Sequence, residues 1–566
     1  MNRYAVYHMC GGTYAYATDK NTINVRIRTA KNDCTSVYVH YLNVYDHTSI
    51  RKIEKMDRIL TDEYFDMYEA ELMLRERHFK YFFELVKNDE RVFYTGDGFM
   101  EKDIANENSF FFPVINDDEI YTYPKWAEGA LVYQIFIDRF NSSQPKSYIN
   151  AKWDKRPSRE DFFGGDFAGI IEKLDYMRSL GTDVIYLGPV FSSRTNHKYD
   201  IEDYYSIDEM FGDEQGLAGL VTAIHDKGMR IILDCVFNHM SCYNPIFMDI
   251  VEKGQASEYK DWFFIYDYPV EIGKSNYDTF AGCVPSMPRI NTANEKAIDY
   301  LVDSAVYWTK KLGIDGWRLD VADEVSVSLW KKFRKEIQKA NSEVLVIGEI
   351  WNDAAKWMNG DQMHTVTNYK YRKWLLDCIQ GMIGPDKFWD RISSNSMLYK
   401  TPSYGYLINL LGSHDTVRLS SMIGIEKARL ALLTTIAFQG MCLIYYGDEI
   451  GMEGAEDPDN RRTMQWDGIT SDMYDYIHEI SILRNEYPAL KHGQLIPLKS
   501  DKKLLAFERK LDDQILEVYV NYSDEECFIE KRNAIFMYSA EKNISHTEKT
   551  GIDRIGPLAF AICIKI

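Results

Sequence analysis

The sequence predicts an α/β chain built around a (β/α)8 TIM barrel. An N-terminal β-sandwich domain precedes the barrel, a small subdomain is inserted after its third strand, and a C-terminal antiparallel β-domain follows. Three observations predict this. Between about residues 126 and 488, eight short apolar runs alternate with longer stretches of helical spacing. Alternation with period two dominates the first ~120 residues. The same alternation returns after about residue 490.

In the first region Ile23, Val25 and Ile27 alternate with Asn24, Arg26 and Arg28. Val37, Val39 and Tyr41 repeat the pattern, as do the stretches 67–72 and 80–86. Successive side chains on a strand point to opposite faces, so these runs, separated by polar turns, read as strands of a sandwich. The polar Asn116-Asp117-Asp118-Glu119, followed by Pro124, marks a boundary and gives a first domain over 1–122. Eight strand candidates follow, at 131–137, 183–187, 230–236, 315–319, 344–350, 363–367, 406–411 and 442–446. Buried parallel strands read as continuous apolar runs. Between them, Ile170, Ile171 and Leu174 lead to Leu180 and a stop at Gly181, and Ala428, Ala431, Leu432, Thr435 and Ile436 mark one face of another helix. The barrel domain therefore spans 123–488, with the stretch 240–291 as the inserted subdomain. Alternation over 515–522 places a β-domain in 489–566.

A chain of 566 residues is long enough for about three or four domains. The formal net charge of −20 disfavours nucleic acid as a partner, because that needs a basic surface. No apolar run is long enough to span a membrane, and the first residues carry no apolar leader core, so the chain is expected in the cytoplasm. Nine cysteines are scattered from Cys10 to Cys563 without a C-x-x-C pair, which reads as reduced thiols and gives no zinc site.

Active sites of this barrel lie at the C-terminal ends of the strands. Strand three ends Asp234-Cys235-Val236-Phe237-Asn238-His239, strand four Arg318-Leu319-Asp320, strand five Gly348-Glu349-Ile350-Trp351, and strand seven runs into Ser413-His414-Asp415. One such residue is an ordinary solvated strand end; four strands delivering acids, histidines and an arginine to one rim are a site. Arg318 and Asp320, two apart, face the same way, and a guanidinium favours the ionised form of a carboxylate, which suits a nucleophile. Glu349, facing Asp320 and Asp415, is expected to have a raised pKa, which suits a general acid. Paired carboxylates of this kind cleave glycosidic bonds.

These stretches resemble the signature regions of glycoside hydrolase family 13, the α-amylase family. The segments 234–239, 316–324, 348–353 and 411–418 are similar to its first four regions, in order. Met287-Pro288-Arg289-Ile290-Asn291 is similar to the fifth region as it stands in neopullulanases, cyclomaltodextrinases and maltogenic amylases. The resemblance to that branch extends to Asn196-His197-Lys198-Tyr199-Asp200, to Tyr446-Gly447-Asp448-Glu449-Ile450-Gly451-Met452-Glu453 and to the N-terminal domain. It implies Asp320 as nucleophile, Glu349 as general acid/base and Asp415 as the residue that holds the sugar's 2- and 3-hydroxyls. It implies substrate contacts from Arg318, His239, His414, Tyr199, Trp351, Asp457 and Arg461, with Asp234 and Asn238 supporting the architecture. The activity implied is retaining hydrolysis of α-1,4, and also α-1,6, bonds in cyclodextrins, pullulan and maltodextrins, with transglycosylation when a sugar is the acceptor. The N-terminal domain implies a homodimer in which it covers the partner's barrel mouth.

No cofactor is required by that chemistry. Many relatives hold calcium in the loop after the first strand; here that loop reads Asn141-Ser142-Ser143-Gln144-Pro145-Lys146-Ser147, with Asn141 and Asp166 as candidate oxygen donors and a lysine where carboxylates are expected. Asp323, after the nucleophile, is often Asn in this branch. Two other readings stand beside the leading one. A mainly α-1,6-acting glucosidase is opposed by the 287–291 segment. A non-catalytic sugar- or partner-binding barrel is opposed by the complete acid set.

Overall fold

The computed structural model describes residues 1–45, 51–103, 108–120, 122–274, 276–467, 472–498, 503–540 and 550–565. These fall into two compact units. One comprises Met1–Tyr123 with Ala355–Asp361 and Ile383–Tyr404; the other comprises Pro124–Ala354, Gln362–Met382 and Gly405–Ile566.

The first unit contains two antiparallel sheets. One orders the strands Ala15–Asp19, Thr22–Ala30, Phe65–Met73 and Asp57–Thr61. The other is centred on Ser36–Asn43 and Phe79–Lys87. The alternating residues meet in its core: Ile23 pairs with Leu72 and Val25 with Ala70, while in the other sheet Val37 pairs with Leu85 and Val39 with Phe83, and all eight are buried. Arg26 stands at one of the polar positions of the alternation, yet it is not solvated. It is fully buried, its Nε 2.5 Å from Glu69 and its Nη1 donating to the Tyr399 carbonyl. The polar face of that strand is covered by chain from 383–404, so its charge is paired rather than solvated.

In the second unit all eight barrel strands form where the apolar runs stand. They are β1 (Leu131–Ile135), β2 (Val184–Leu187), β3 (Arg230–Cys235), β4 (Gly316–Leu319), β5 (Leu345–Gly348), β6 (Thr365–Val366), β7 (Ile408–Leu410) and β8 (Met441–Tyr445). Neighbours pair in parallel through β6-β5-β4-β3-β2-β1-β8-β7, and a single parallel bridge between Thr367 and Ile408 brings the ends of the sheet together. Seven of these strands are buried at every residue and β3 at all but Arg230, as parallel strands covered by helices must be. The stretch expected as one helix to Leu180 is two, Phe167–Glu172 and Leu174–Ser179, broken at Lys173; Gly181 then takes φ +78°. The helix Ile425–Ala437 buries all five residues expected on one face, but it also buries Leu430, Leu433, Thr434 and Ala437, so it is enclosed all round rather than along one stripe.

After β3 the chain builds the expected insertion, with a helix Pro245–Lys253 and a small antiparallel pair, Thr279–Phe280 with Val284–Pro288. It then re-enters the barrel through the helix Glu295–Leu312, N-capped by Asn294. The C-terminal strands, including Leu504–Leu511 and Gln514–Asn521, form a six-stranded sheet in which each described pairing is antiparallel.

Candidate active site

The barrel register explains the site. Asp234 on β3 and Arg318 on β4 are directly paired residues, and Leu319 pairs with Gly348 on β5. Paired residues point to the same face. Asp320 and Glu349 therefore leave adjacent strand ends side by side, with Arg318 one inward step below Asp320.

Arg318 joins three acids. Its Nη1 donates to Asp234 Oδ1 at 2.9 Å and to Asp320 Oδ1 at 2.7 Å, and its Nη2 lies 2.8 Å from Glu349 Oε1. All four side chains are buried. Arg318 thus lies beside Asp320, as the spacing predicts, but shares its charge with Asp234 and Glu349. Burial pushes the Asp320 carboxyl well above the usual range; Arg318 opposes this, and Glu349, Asp234 and Asp415 add to it. Asp234 is raised too, first by burial, against Arg318 and the hydroxyls of Tyr199 and Tyr186.

The other oxygen of Glu349, Oε2, accepts the backbone N–H of Val321 at 2.9 Å. Val321 adopts φ +46°, a left-handed conformation unfavourable for a β-branched residue. Trp351 Nε1 donates to Glu349 Oε1 at 3.2 Å, and its ring stacks on Tyr369 with centroids 3.7 Å apart and planes 9° apart.

Asp415 is more open. Its Oδ2 is 3.1 Å from His414 Nε2, and its Oδ1 is 3.4 Å from Arg461 Nη2. Arg461 also reaches Asp457 at 3.1 Å and donates from Nε to the His414 carbonyl. Tyr199 stacks on His414 with planes 9° apart, and its hydroxyl reaches both His414 Nε2 at 2.6 Å and Asp234 Oδ2 at 2.8 Å. His239 is buried, with Nδ1 3.2 Å from Asn238 Oδ1 and Nε2 unpartnered, and burial lowers its pKa to about 3. A neutral ring with an open nitrogen at a cavity wall can hydrogen-bond a hydroxyl.

Asp320, Glu349, Asp415, His239, His414, Tyr199, Trp351, Asp457 and Arg461 all line one cavity of about 830 Å³. Asp234, Arg318 and Asn238 support this lining from beneath. Asn141 and Asp166 stand apart from it, in the loop after β1. Four contributors went unnoticed in the sequence: Gln134, whose Nε2 meets His414 Nδ1 at 2.9 Å, Tyr186, which donates to Asp234, Tyr369 and the Val321 amide. A polar Gln134 within the apolar β1 run was the available signal; the others depend on contacts across strands.

Comparison with known proteins agrees with this geometry. A family model described as "Alpha amylase, catalytic domain" matches residues 134–479, and one described as "Alpha amylase, N-terminal ig-like domain" matches residues 1–116. The chain is 37% identical to "Cyclomaltodextrinase" of Thermoanaerobacter pseudethanolicus, over 99% of this chain and 98% of that one. It is 38% identical to "Neopullulanase 2" of Thermoactinomyces vulgaris, over 91% of this chain and 90% of that one. A solved structure titled "Cyclomaltodextrinase" superposes with a TM-score of 0.90 at 34% identity, covering 100% of both chains. The chain therefore belongs to the α-amylase family, glycoside hydrolase family 13, as an enzyme of its cyclomaltodextrinase, neopullulanase and maltogenic amylase type.

Proposed function

We propose that this α-glucan hydrolase works by retention, through a covalent glycosyl-enzyme, on α-1,4 and also α-1,6 bonds of cyclodextrins, pullulan and short maltodextrins. Glu349 gives its proton to the glycosidic oxygen while Asp320 attacks the anomeric carbon. The C–O bond breaks, the leaving sugar departs with that proton, and a β-linked ester to Asp320 remains. Glu349, now a carboxylate, takes a proton from water, which attacks the same carbon and expels Asp320, giving an α product. A sugar hydroxyl in place of water gives transglycosylation. Asp415 and His414 hold the sugar hydroxyls, with His239 as a neutral donor or acceptor. Tyr199 and Trp351 present ring faces to the sugar, and Asp457 and Arg461 bound the non-reducing side.

The observation that carries this reading is the shared guanidinium. Asp320 and Glu349 each lie a hydrogen bond from one Arg318, on the wall of one cavity. That suits the short carboxylate spacing of retaining enzymes, about 5–5.5 Å, better than the wider gap an inverting enzyme leaves for water. The substrate class is supported by the names of the two relatives above.

We also infer a cytoplasmic homodimer in which the N-terminal domain covers the partner's cavity mouth. Residence in a reducing compartment is consistent with nine unpaired thiols. The dimer rests on the family resemblance, with the exposed rings of Tyr4, Tyr45 and Tyr64 on the first unit available to it. A clean monomer by light scattering at micromolar concentration would remove it.

The test is product analysis on β-cyclodextrin, pullulan, soluble starch and maltotriose in parallel, with Glu349→Gln as the blank and the product anomer followed by NMR. Fast cyclodextrin opening with slow starch attack, releasing α-anomers, is expected. A β-anomer as the first product would overturn retention, and preference for starch would overturn the covered cleft.

A further inference from the structure

The loop between β1 and the helix Phe167–Glu172 contains a closed arrangement around one charge. Lys146 Nζ lies 2.5 Å from Asp166 Oδ2 and donates to the carbonyls of Gly164 at 3.3 Å and Met210 at 3.2 Å. An ammonium has three N–H donors, and these three oxygens match them. Lys146 is mostly covered, its side chain 17% exposed against 6% for Asp166. The Tyr148 hydroxyl donates to the same Met210 carbonyl at 2.5 Å.

The two residues that would serve a divalent cation are otherwise engaged. Asp166 Oδ1 accepts the Gly169 N–H at 2.6 Å, capping the helix, and Oδ2 accepts the Ser143 hydroxyl at 2.7 Å as well as the ammonium. Asn141 turns its amide nitrogen toward Gly169 O and Glu172 Oε2, each at 3.0 Å, which presents donors rather than an oxygen. A calcium ion needs six to eight oxygens. Among the described residues no group of three or more His, Cys, Asp or Glu side chains is arranged to hold a metal. Asn141 and Asp166 thus do not fit calcium.

We propose that Lys146 is a tethered cation. Its ammonium gathers Asp166 and the carbonyls of Gly164 and Met210 onto one positive charge, so the loop closes without a divalent ion and folding of this enzyme is indifferent to calcium. At this point of the loop the one lysine charge stands opposite one carboxylate, Asp166, so the pair is neutral without a bound ion.

Thermal unfolding of the full chain tests this. The wild type is expected to melt at the same temperature in excess chelator and in millimolar calcium chloride, and calorimetric titration with calcium is expected to show no binding. Lys146→Met, melted in chelator, is expected to lose roughly 2–4 °C, while Lys146→Arg, which keeps the charge, loses less. A wild-type melting temperature that falls with chelator or rises with calcium would overturn the proposal, and so would Lys146→Met melting as the wild type does. The wild-type melts and titration need no variant, so the idea stays testable even if Lys146→Met does not accumulate.

Discussion

Arg318 faces Asp234, Asp320 and Glu349 with one positive charge, so ionisation in this site is a competition for it. Burial raises Asp320 well above its ordinary value; Arg318 opposes this, and Glu349, Asp234 and Asp415 add to it. The proposed nucleophile works ionised. A raised pKa keeps the protonated, inactive form populated to higher pH, so the acid limb of kcat/KM on β-cyclodextrin is expected above the ordinary aspartate value of about 3.9. A limb at or below that value would mean Asp320 is not the group being titrated. Asp320→Asn is expected to lower kcat by at least about three orders of magnitude. Its melting temperature should hold or rise, because the change removes one of several crowded carboxylates; retained turnover would reject the nucleophile assignment. The acids themselves were legible because each terminates an apolar run. Their sharing of one arginine was not, because spacing along one strand says nothing about the neighbouring strand's register, here Asp234 opposite Arg318. Val321 and Tyr369 escaped for the same reason: a left-handed φ and a stacked ring depend on what the fold brings near.

At the scale of elements, the barrel strands were readable because parallel strands buried on both faces must be apolar throughout, and runs such as Val184–Leu187 and Met441–Tyr445 have no other stable place. The sandwich strands were readable by alternation, yet alternation identifies a face without saying what covers it. Arg26 stands at a polar position and is fully buried under residues more than 370 positions away in the chain. The apolar spacing over 167–179 is that of one continuous helix; the break at Lys173 leaves that spacing intact. The turn that leads into this helix carries its own requirement. A Cβ on Gly165 would come within 1.9 Å of the Ile137 carbonyl oxygen, a backbone atom that cannot swing aside. The Gly165 amide also donates to the Asp138 carbonyl at 3.0 Å, so the close approach is built in. Gly165→Ala is expected to cost about 1–3 kcal/mol, read as a melting temperature lower by several degrees. Unchanged stability would mean that this turn relaxes freely.

Across the whole molecule, buried histidines couple folding to acid. Burial lowers His239 and His197 to about 3 and His8 to about 4, and holds His414 well below its ordinary value. In the unfolded chain each titrates near 6.5. Between those values the unfolded chain binds protons that the folded chain refuses, so stability from these groups is complete above about pH 6.5 and is lost progressively as pH falls toward the folded values. Each histidine adds a slope of roughly 1.4 kcal/mol per pH unit at most. The buried acids pull the other way: Asp234, Asp320, Asp448 and Glu449 are all raised, first by burial, and hold protons more readily when folded. The net acid sensitivity is therefore a difference of opposed terms, and a single profile of wild-type stability cannot apportion it. A variant can. His239→Asn removes one titrating group whose Nε2 has no partner and whose ring packs against Phe280 at 4.6 Å. Stability measured by denaturant titration between pH 4.5 and 6.0 should then climb less steeply with pH than in the wild type. The two profiles should converge in slope above about pH 7, where the histidine is neutral in both states. Parallel profiles across the acid range would mean that His239 takes up its proton while the protein is still folded, through an opening of the cavity wall that relieves its burial.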